Sequence, residues 1–262
     1  MASPLPALAP RLDYHIHTSF SDDCSTPMEA MCRAALALGL AEIGFADHLD
    51  LPPDRPPPPR LDLHGWWKEF DRCRRLFEGR LTLRAGLELG EPHRHAAHYH
   101  PILRGHPWDF ILGSVHFVGP AWIFRRESFG RGGPALIAGY FAELERMLAE
   151  ADVDIAAHVD IVKRYAFDEQ AALDLRPHEE SIRRALVTCV RRGLALEVNT
   201  STLRRPVGEP SPGQTILRWY SEAGGSDAHH PEHVGAGLAT AWGAALRAGL
   251  DTQARFDRRR RV

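Results

Sequence analysis

Long apolar runs are missing from this 262-residue sequence. No stretch approaches the ~20 hydrophobic residues that a membrane-spanning helix needs. The first ten residues, MASPLPALAP, lack both a basic start and an apolar core, so no secretory signal is expected and a cytoplasmic protein is. Cysteine is sparse: Cys24, Cys32, Cys73 and Cys189 show no CxxC spacing and read as reduced, structurally minor thiols. Net charge is nearly absent. The 32 basic and 34 acidic residues leave −2, which argues against broad electrostatic capture of nucleic acid or of an anionic membrane. Lysine occurs only at Lys68 and Lys163, and no glycine-rich phosphate turn follows the first candidate strand. What is abundant is histidine, with 15 residues.

With 44% hydrophobic and 25% charged residues, the chain has the composition of one larger globular domain, and no repeat or second domain is visible. Residues 1–262 therefore read as a single domain with a flexible N-terminus over 1–10. Short apolar or β-branched runs alternate with helical patterns, which is the pattern of repeated βα units. The expected strands are Leu12–Thr18, Ala41–His48, Leu81–Leu89, Phe110–Val118, Asp154–Asp160 and Leu194–Thr200. Thr26-Pro27-Met28-Glu29 predicts a capped helix start, with Gly39 as its left-handed stop. Similar starts are expected at Ser211-Pro212-Gly213-Gln214 and at Pro177, the latter helix ending before Gly193. Six alternations without a phosphate turn favour a barrel-like α/β fold over an open doubly wound sheet. The Pro-rich stretch Leu51–Arg60 reads as a stiff surface loop, and Arg258–Arg261 as part of a terminal strand.

Six histidines fall at the C-terminal ends of strands or in the late DxH motif, each beside a carboxylate or another histidine. His15 and His17 are two residues apart, so on a strand both imidazoles face the same side. Asp227-Ala228-His229 repeats that spacing late in the chain, while His48, Glu88, His116 and His158 close four intervening strands. In a barrel these ends converge on one mouth. One imidazole alone more often satisfies a packing role. A group this large, framed by carboxylates, exceeds the ligand needs of one divalent ion and suits Zn, Fe or Mn in hydrolytic chemistry. His93, His95, His98 and His100 lack such framing and read as a polar loop or helix beside the mouth, whereas His64, His106 and His178 read as ordinary packing or surface residues.

These motifs resemble the polymerase and histidinol phosphatase (PHP) superfamily. The phrases DYHIHTSFSDD, GLELGEPH, DFILGSVHF, HVDIVKRY, LEVNTSTLRR and GSDAHHPEHVG are similar to its histidinol-phosphatases of histidine biosynthesis. The resemblance implies a distorted seven-stranded βα barrel holding three divalent metal ions. It assigns His15, His17, Glu88 and Asp227 to one ion and Glu88, His116 and His158 to a second, with Glu88 bridging. The third takes Asp23, His48 and His229; Asp23 stands where many relatives have histidine, and its neighbour Asp22 is the alternative. One departure is plain: Tyr220–Gly225 runs directly from a helix into Ser226-Asp227, so the seventh strand is expected to be missing or severely shortened.

The implied activity is hydrolysis of L-histidinol phosphate, a small-molecule phosphate monoester, by a metal-bridging hydroxide, with no side-chain nucleophile assigned. Arg164 is the preferred cation for phosphate, since a guanidinium grips phosphate oxygens as a fork, and its alternative role is a surface ion pair. His93 or Glu91 is expected to read the substrate's amine or imidazole. Two other readings stand beside this one: a PHP phosphoesterase acting on nucleotides or oligonucleotide ends, and a metal-binding protein of the same fold with impaired catalysis.

Overall fold

The structure, a computed structural model, describes residues 11–52, 61–129, 133–166, 174–220, 238–247 and 254–262. Strands β1 (Leu12–Ile16), β2 (Glu42–Leu49), β3 (Thr82–Gly90) and β4 (Phe110–Ser114) alternate with helices α1 (Met28–Ala37), α2 (Leu63–Leu76) and α3 (Ala96–Gly105). A small hairpin, β5 (Phe117–Val118) and β6 (Ala121–Trp122), follows. Then come α4 (Gly133–Glu150), β7 (Ile155–Ala156), α5 (Lys163–Ala166), α6 (Glu179–Arg192), β8 (Ala195–Leu196), α7 (Gln214–Trp219), α8 (Leu238–Arg247) and a terminal hairpin of β9 (Phe256–Asp257) and β10 (Arg260–Arg261).

Six strands form one parallel sheet in the order β1-β2-β3-β4-β7-β8, the expected βα architecture curled into a half-barrel. The place of the seventh strand, expected to be missing or severely shortened, falls on 221–237, outside the described residues, as do 1–10 and most of the Pro-rich stretch. Strand interiors are buried on both faces, as a parallel sheet covered by helices requires.

The concave face carries small residues around one aromatic stack. Tyr14 lies over Phe110 at 5.0 Å between ring centroids, and Ala46, Ala157 and Ala195 complete the layer. Gly44 and Gly86 make room for that ring: a Cβ on Gly86 would sit 2.3 Å from Phe110 Cζ. The convex face packs against the helices through a larger core that includes Phe45, Trp66, Phe70 and Met147.

Several boundaries differ from expectation. The runs 154–160 and 194–200 keep only two strand residues each, because the chain leaves the ladder early and side chains take over its hydrogen bonds; His158 N donates to Glu197 Oε2 at 2.7 Å. The run 110–118 breaks at Ser114, and His116 lies in the connection to β5. Thr26 does not cap α1. Pro27 occupies the cap position without a side-chain bond, while the Thr26 carbonyl accepts from Ser19 N at 2.7 Å. Ser211 does not cap α7 either; its hydroxyl bonds Asp160, whose other oxygen accepts from Gly213 N at 2.9 Å. Gly39 and Gly193 do adopt the left-handed conformation expected of helix stops.

The C-terminal arginines close the floor of the half-barrel. Arg259 pairs with Asp152 and Asp154, and its N–H donates to the Asp109 carbonyl at 2.7 Å. Arg255 and Arg84 meet buried Glu42, and Phe256 packs on Tyr14. The run thus belongs to a terminal hairpin whose β10 side is solvated. Because the space at Gly86 is filled by a stacked aromatic ring, Gly86→Ala should destabilise the fold by about 1–3 kcal/mol, read as a lowered midpoint in thermal or urea unfolding.

Candidate metal centre

The strand register brings the site together. His48 on β2 pairs opposite Glu88 on β3, so the two side chains emerge side by side on the mouth. Glu88 is fully buried, and five imidazoles surround its carboxylate. His15 Nε2 lies 3.1 Å and His17 Nε2 3.5 Å from Oε2, with His48 Nδ1 at 2.9 Å from the same oxygen. On the other oxygen, Oε1, His158 Nε2 approaches to 2.8 Å and His116 Nε2 to 3.3 Å. Ser114 donates its hydroxyl to Oε1 at 2.5 Å.

Two groups have donor atoms all within 4.8 Å of one another: His15, His17 and Glu88, and His48, Glu88 and His116. The first matches three of the four ligands implied for one ion. The second contains His48, which the resemblance placed with Asp23; the structure sets it between the two, since its Nε2 is also 3.5 Å from Asp23 Oδ2. Its position opposite Glu88 in the sheet explains the sharing. Asp227 and His229 lie outside the described residues.

The donor set fits divalent cations. Five imidazoles round a single carboxylate supply far more lone pairs than that group has protons to share. Buried Glu88 Oε2 and His116 Nε2 form no hydrogen bond among the described residues. Buried polar atoms without such partners are costly unless a cation satisfies them. Burial opposes ionisation of Glu88, yet the charges of His15, His48 and His116 outweigh it and hold the carboxyl well below its usual range. Burial likewise pushes His116 down, but Asp50 and Glu88 raise it from 6.5 to about 10.

The outer imidazole nitrogens are held by residues the sequence reading did not single out. His15 Nδ1 meets Glu197 and His116 Nδ1 meets Asp50 at 3.0 Å. Asp50 occupies space that a Cβ on Gly90 would invade. His17 Nδ1 lies 3.1 Å from Ser21 Oγ, which donates its one proton to Asp47 at 2.8 Å and also accepts from His48 N at 3.0 Å. With Asp47 as a carboxylate, the proton on this His17 bond must sit on Nδ1, leaving Nε2 as the ligand atom. Asp47 also accepts from Thr18 and from Trp66 Nε1, anchoring the loop after β1 to α2. In the sequence Glu197 falls at the middle of the expected strand 194–200, so no strand-end signal marked it; Asp50 sits two residues after His48.

The predicted substrate residues divide. Arg164 lies over the Phe124 ring at 5.7 Å, and Phe124 lies 5.3 Å from the His116 ring, so one aromatic ring connects the guanidinium to the cluster. Lys163 is buried in bonds to Asp160, Glu209 and the Pro210 carbonyl. The Nε2 of His93 meets Glu143 on α4 at 2.9 Å, beside the Arg94–Glu143 pair. Glu91 also has a structural task, accepting from the backbone N–H groups of His116 and Phe117.

Comparison with known proteins gives a consistent likeness. A family model described as the PHP domain matches residues 13–201. A probable histidinol-phosphatase of Deinococcus radiodurans is 31% identical over 244 residues, covering 85% of this chain and 88% of the relative. A histidinol-phosphatase of Lactococcus lactis is 24% identical, covering 84% of each. Among solved structures, the histidinol phosphate phosphatase of Lactococcus lactis, complexed with zinc, L-histidinol and phosphate, shares the fold with a TM-score of 0.83 at 22% identity, over 96% of this chain and 98% of that one.

Two opposite pH trends should follow from His116. Its pKa is raised on folding, so in metal-free protein its pairing stabilises the fold fully below the ordinary value of 6.5 and is lost as the pH rises through about 10. A cation must displace the proton, so metal affinity should rise over the same range. Calorimetric titration at pH 7 in buffers of different ionisation enthalpy should register proton release; buffer-independent heats would contradict the arrangement.

Proposed function

The chain belongs to the PHP domain family, and on that premise we propose that it is a metal-dependent phosphomonoesterase converting L-histidinol phosphate and water into L-histidinol and phosphate. The observation that carries this reading is the Glu88 carboxylate ringed by five imidazoles, in a chain aligned over most of its length with a probable histidinol-phosphatase. Divalent cations bound there neutralise phosphate oxygens and lower the pKa of water, which supplies a nucleophile at neutral pH.

Three ions, of Zn, Fe or Mn, are proposed. His15, His17, Glu88 and Asp227 would hold one, and Glu88, His116 and His158 a second. Asp23, His48 and His229 would hold the third. Neutral imidazoles and carboxylates without thiolate suit these metals and leave positions for the reacting groups. The deep burial of His15, His17, Glu88, His116 and His158 keeps bulk water from screening the attraction between that part of the site and the phosphate dianion.

Arg164 would bind the non-bridging phosphate oxygens through its guanidinium. Its stacking over Phe124 limits the rotamers it must give up on binding. No helix among the described residues is long and apolar enough to cross a membrane. As part of the same proposal, residues 1–262 form one catalytic domain working in the cytoplasm on a small molecule and not on nucleic acid.

Phosphate release should be measured with histidinol phosphate and a nucleotide panel, with Mn or Zn supplied. Histidinol phosphate should be the preferred substrate by kcat/KM. Preference for nucleotides would support the other phosphoesterase reading, and no turnover despite bound metal would contradict both. Arg164→Ala should lower kcat/KM by roughly 10²–10³-fold, with Arg164→Lys recovering only part because a point charge lacks the fork.

A further inference from the structure

We infer that Glu197 is a positioning residue that links the two outer strands of the described sheet across the mouth and fixes which nitrogen of His15 faces the metals. This rests on the imidazole cluster being a metal centre. β1 and β8 stand at opposite ends of the six-stranded order, and among the described residues no strand pairing joins them. Glu197 follows β8 directly, and its backbone N–H continues the ladder to the Ala156 carbonyl at 3.0 Å. Its side chain then crosses the mouth. Oε1 meets His15 Nδ1 on β1 at 2.5 Å, and Oε2 accepts from the backbone N–H of His158 at 2.7 Å.

One buried carboxylate therefore touches two proposed ligand residues in different ways: it orients one imidazole ring and one backbone. His158 needs that hold because its backbone is left-handed, with φ of 22°, a conformation unfavourable for a residue with a Cβ. The His15 and His158 rings stack at 5.6 Å. Asn199 Nδ2 donates to Oε1 at 3.1 Å, while its own Oδ1 accepts from Ser201 N and Oγ, so Asn199 cannot rotate away without breaking those bonds.

Proton accounting sets the tautomer. A carboxylate offers only lone pairs, so the proton between Glu197 and His15 belongs to Nδ1, and His15 Nε2 presents its lone pair toward Glu88. An amide cannot replace this group. Whichever way the side chain turned in a Glu197→Gln variant, its NH2 would face at least one of three N–H donors, those of His15, Asn199 and His158.

The test compares wild type, Glu197→Gln and Asp154→Asn. The last removes a part-buried carboxylate from the floor of the half-barrel, where Asp154 holds Ile111 N and Arg259, and serves as the control for general destabilisation. Zinc affinity is read by competition with a chromophoric chelator. Glu197→Gln should weaken it roughly 10–100-fold, while Asp154→Asn should lower the unfolding midpoint and leave affinity unchanged. In the metal-free proteins, histidine 15N NMR should show His15 protonated at Nδ1 in wild type and lose that preference in Glu197→Gln. This arm judges the link to His15 whether or not the wild type turns over histidinol phosphate. Unchanged zinc affinity with an unchanged His15 tautomer in Glu197→Gln would overturn the assignment. Equal loss of affinity in Asp154→Asn would also overturn it, by reducing the effect to lost stability.

Discussion

The arrangement depends on a single buried carboxylate. Glu88 lies at the end of the longest strand, and five imidazoles from four other segments converge on its two oxygens. Removing a charge from water is costly, and a fold tolerates it only where opposite charge or good donors replace the lost hydration. Here the donors are imidazoles whose own lone pairs want a cation. The constraint runs both ways: the histidines justify a buried carboxylate, and the carboxylate sets where each ring must point.

Much of the surrounding structure serves that geometry. Asp47, Asp50 and Glu197 sit behind the rings and hold outer nitrogens or the loops that carry them. Phe110 stacks on Tyr14 in the space left by Gly44 and Gly86 and fills the inner layer of the sheet. At the opposite end, the arginine-rich terminal hairpin ties together the starts of β2, β3, β4 and β7. Floor and mouth thus use the same device, carboxylates meeting cationic or N–H groups, for different ends: stability below and ligand placement above.

The parallel sheet was legible in the sequence because short apolar or β-branched runs alternate with helical patterns and carry a histidine or Glu88 at or near their ends, and period-two alternation put His15 and His17 on one side. The last two strands were overestimated. Apolar runs at 154–160 and 194–200 read as strands, but their ends bend so that His158 and Glu197 can reach the mouth, and side chains replace the ladder. The centre's inner residues were visible as histidines at strand ends. Its supporting carboxylates were not, since Asp50 and Glu197 gain meaning only from rings far away in sequence. Closeness to Glu88 along the chain singled out His93, and the bond of its Nε2 to Glu143 is a contact that only the fold reveals.

The central claim is that Glu88 bridges metal ions held by these imidazoles. Anomalous diffraction from crystals grown with zinc tests it most directly. The account predicts three peaks in the mouth, two of them sharing Glu88 and one contacted by His229. Absence of any peak within coordination distance of Glu88 would contradict it.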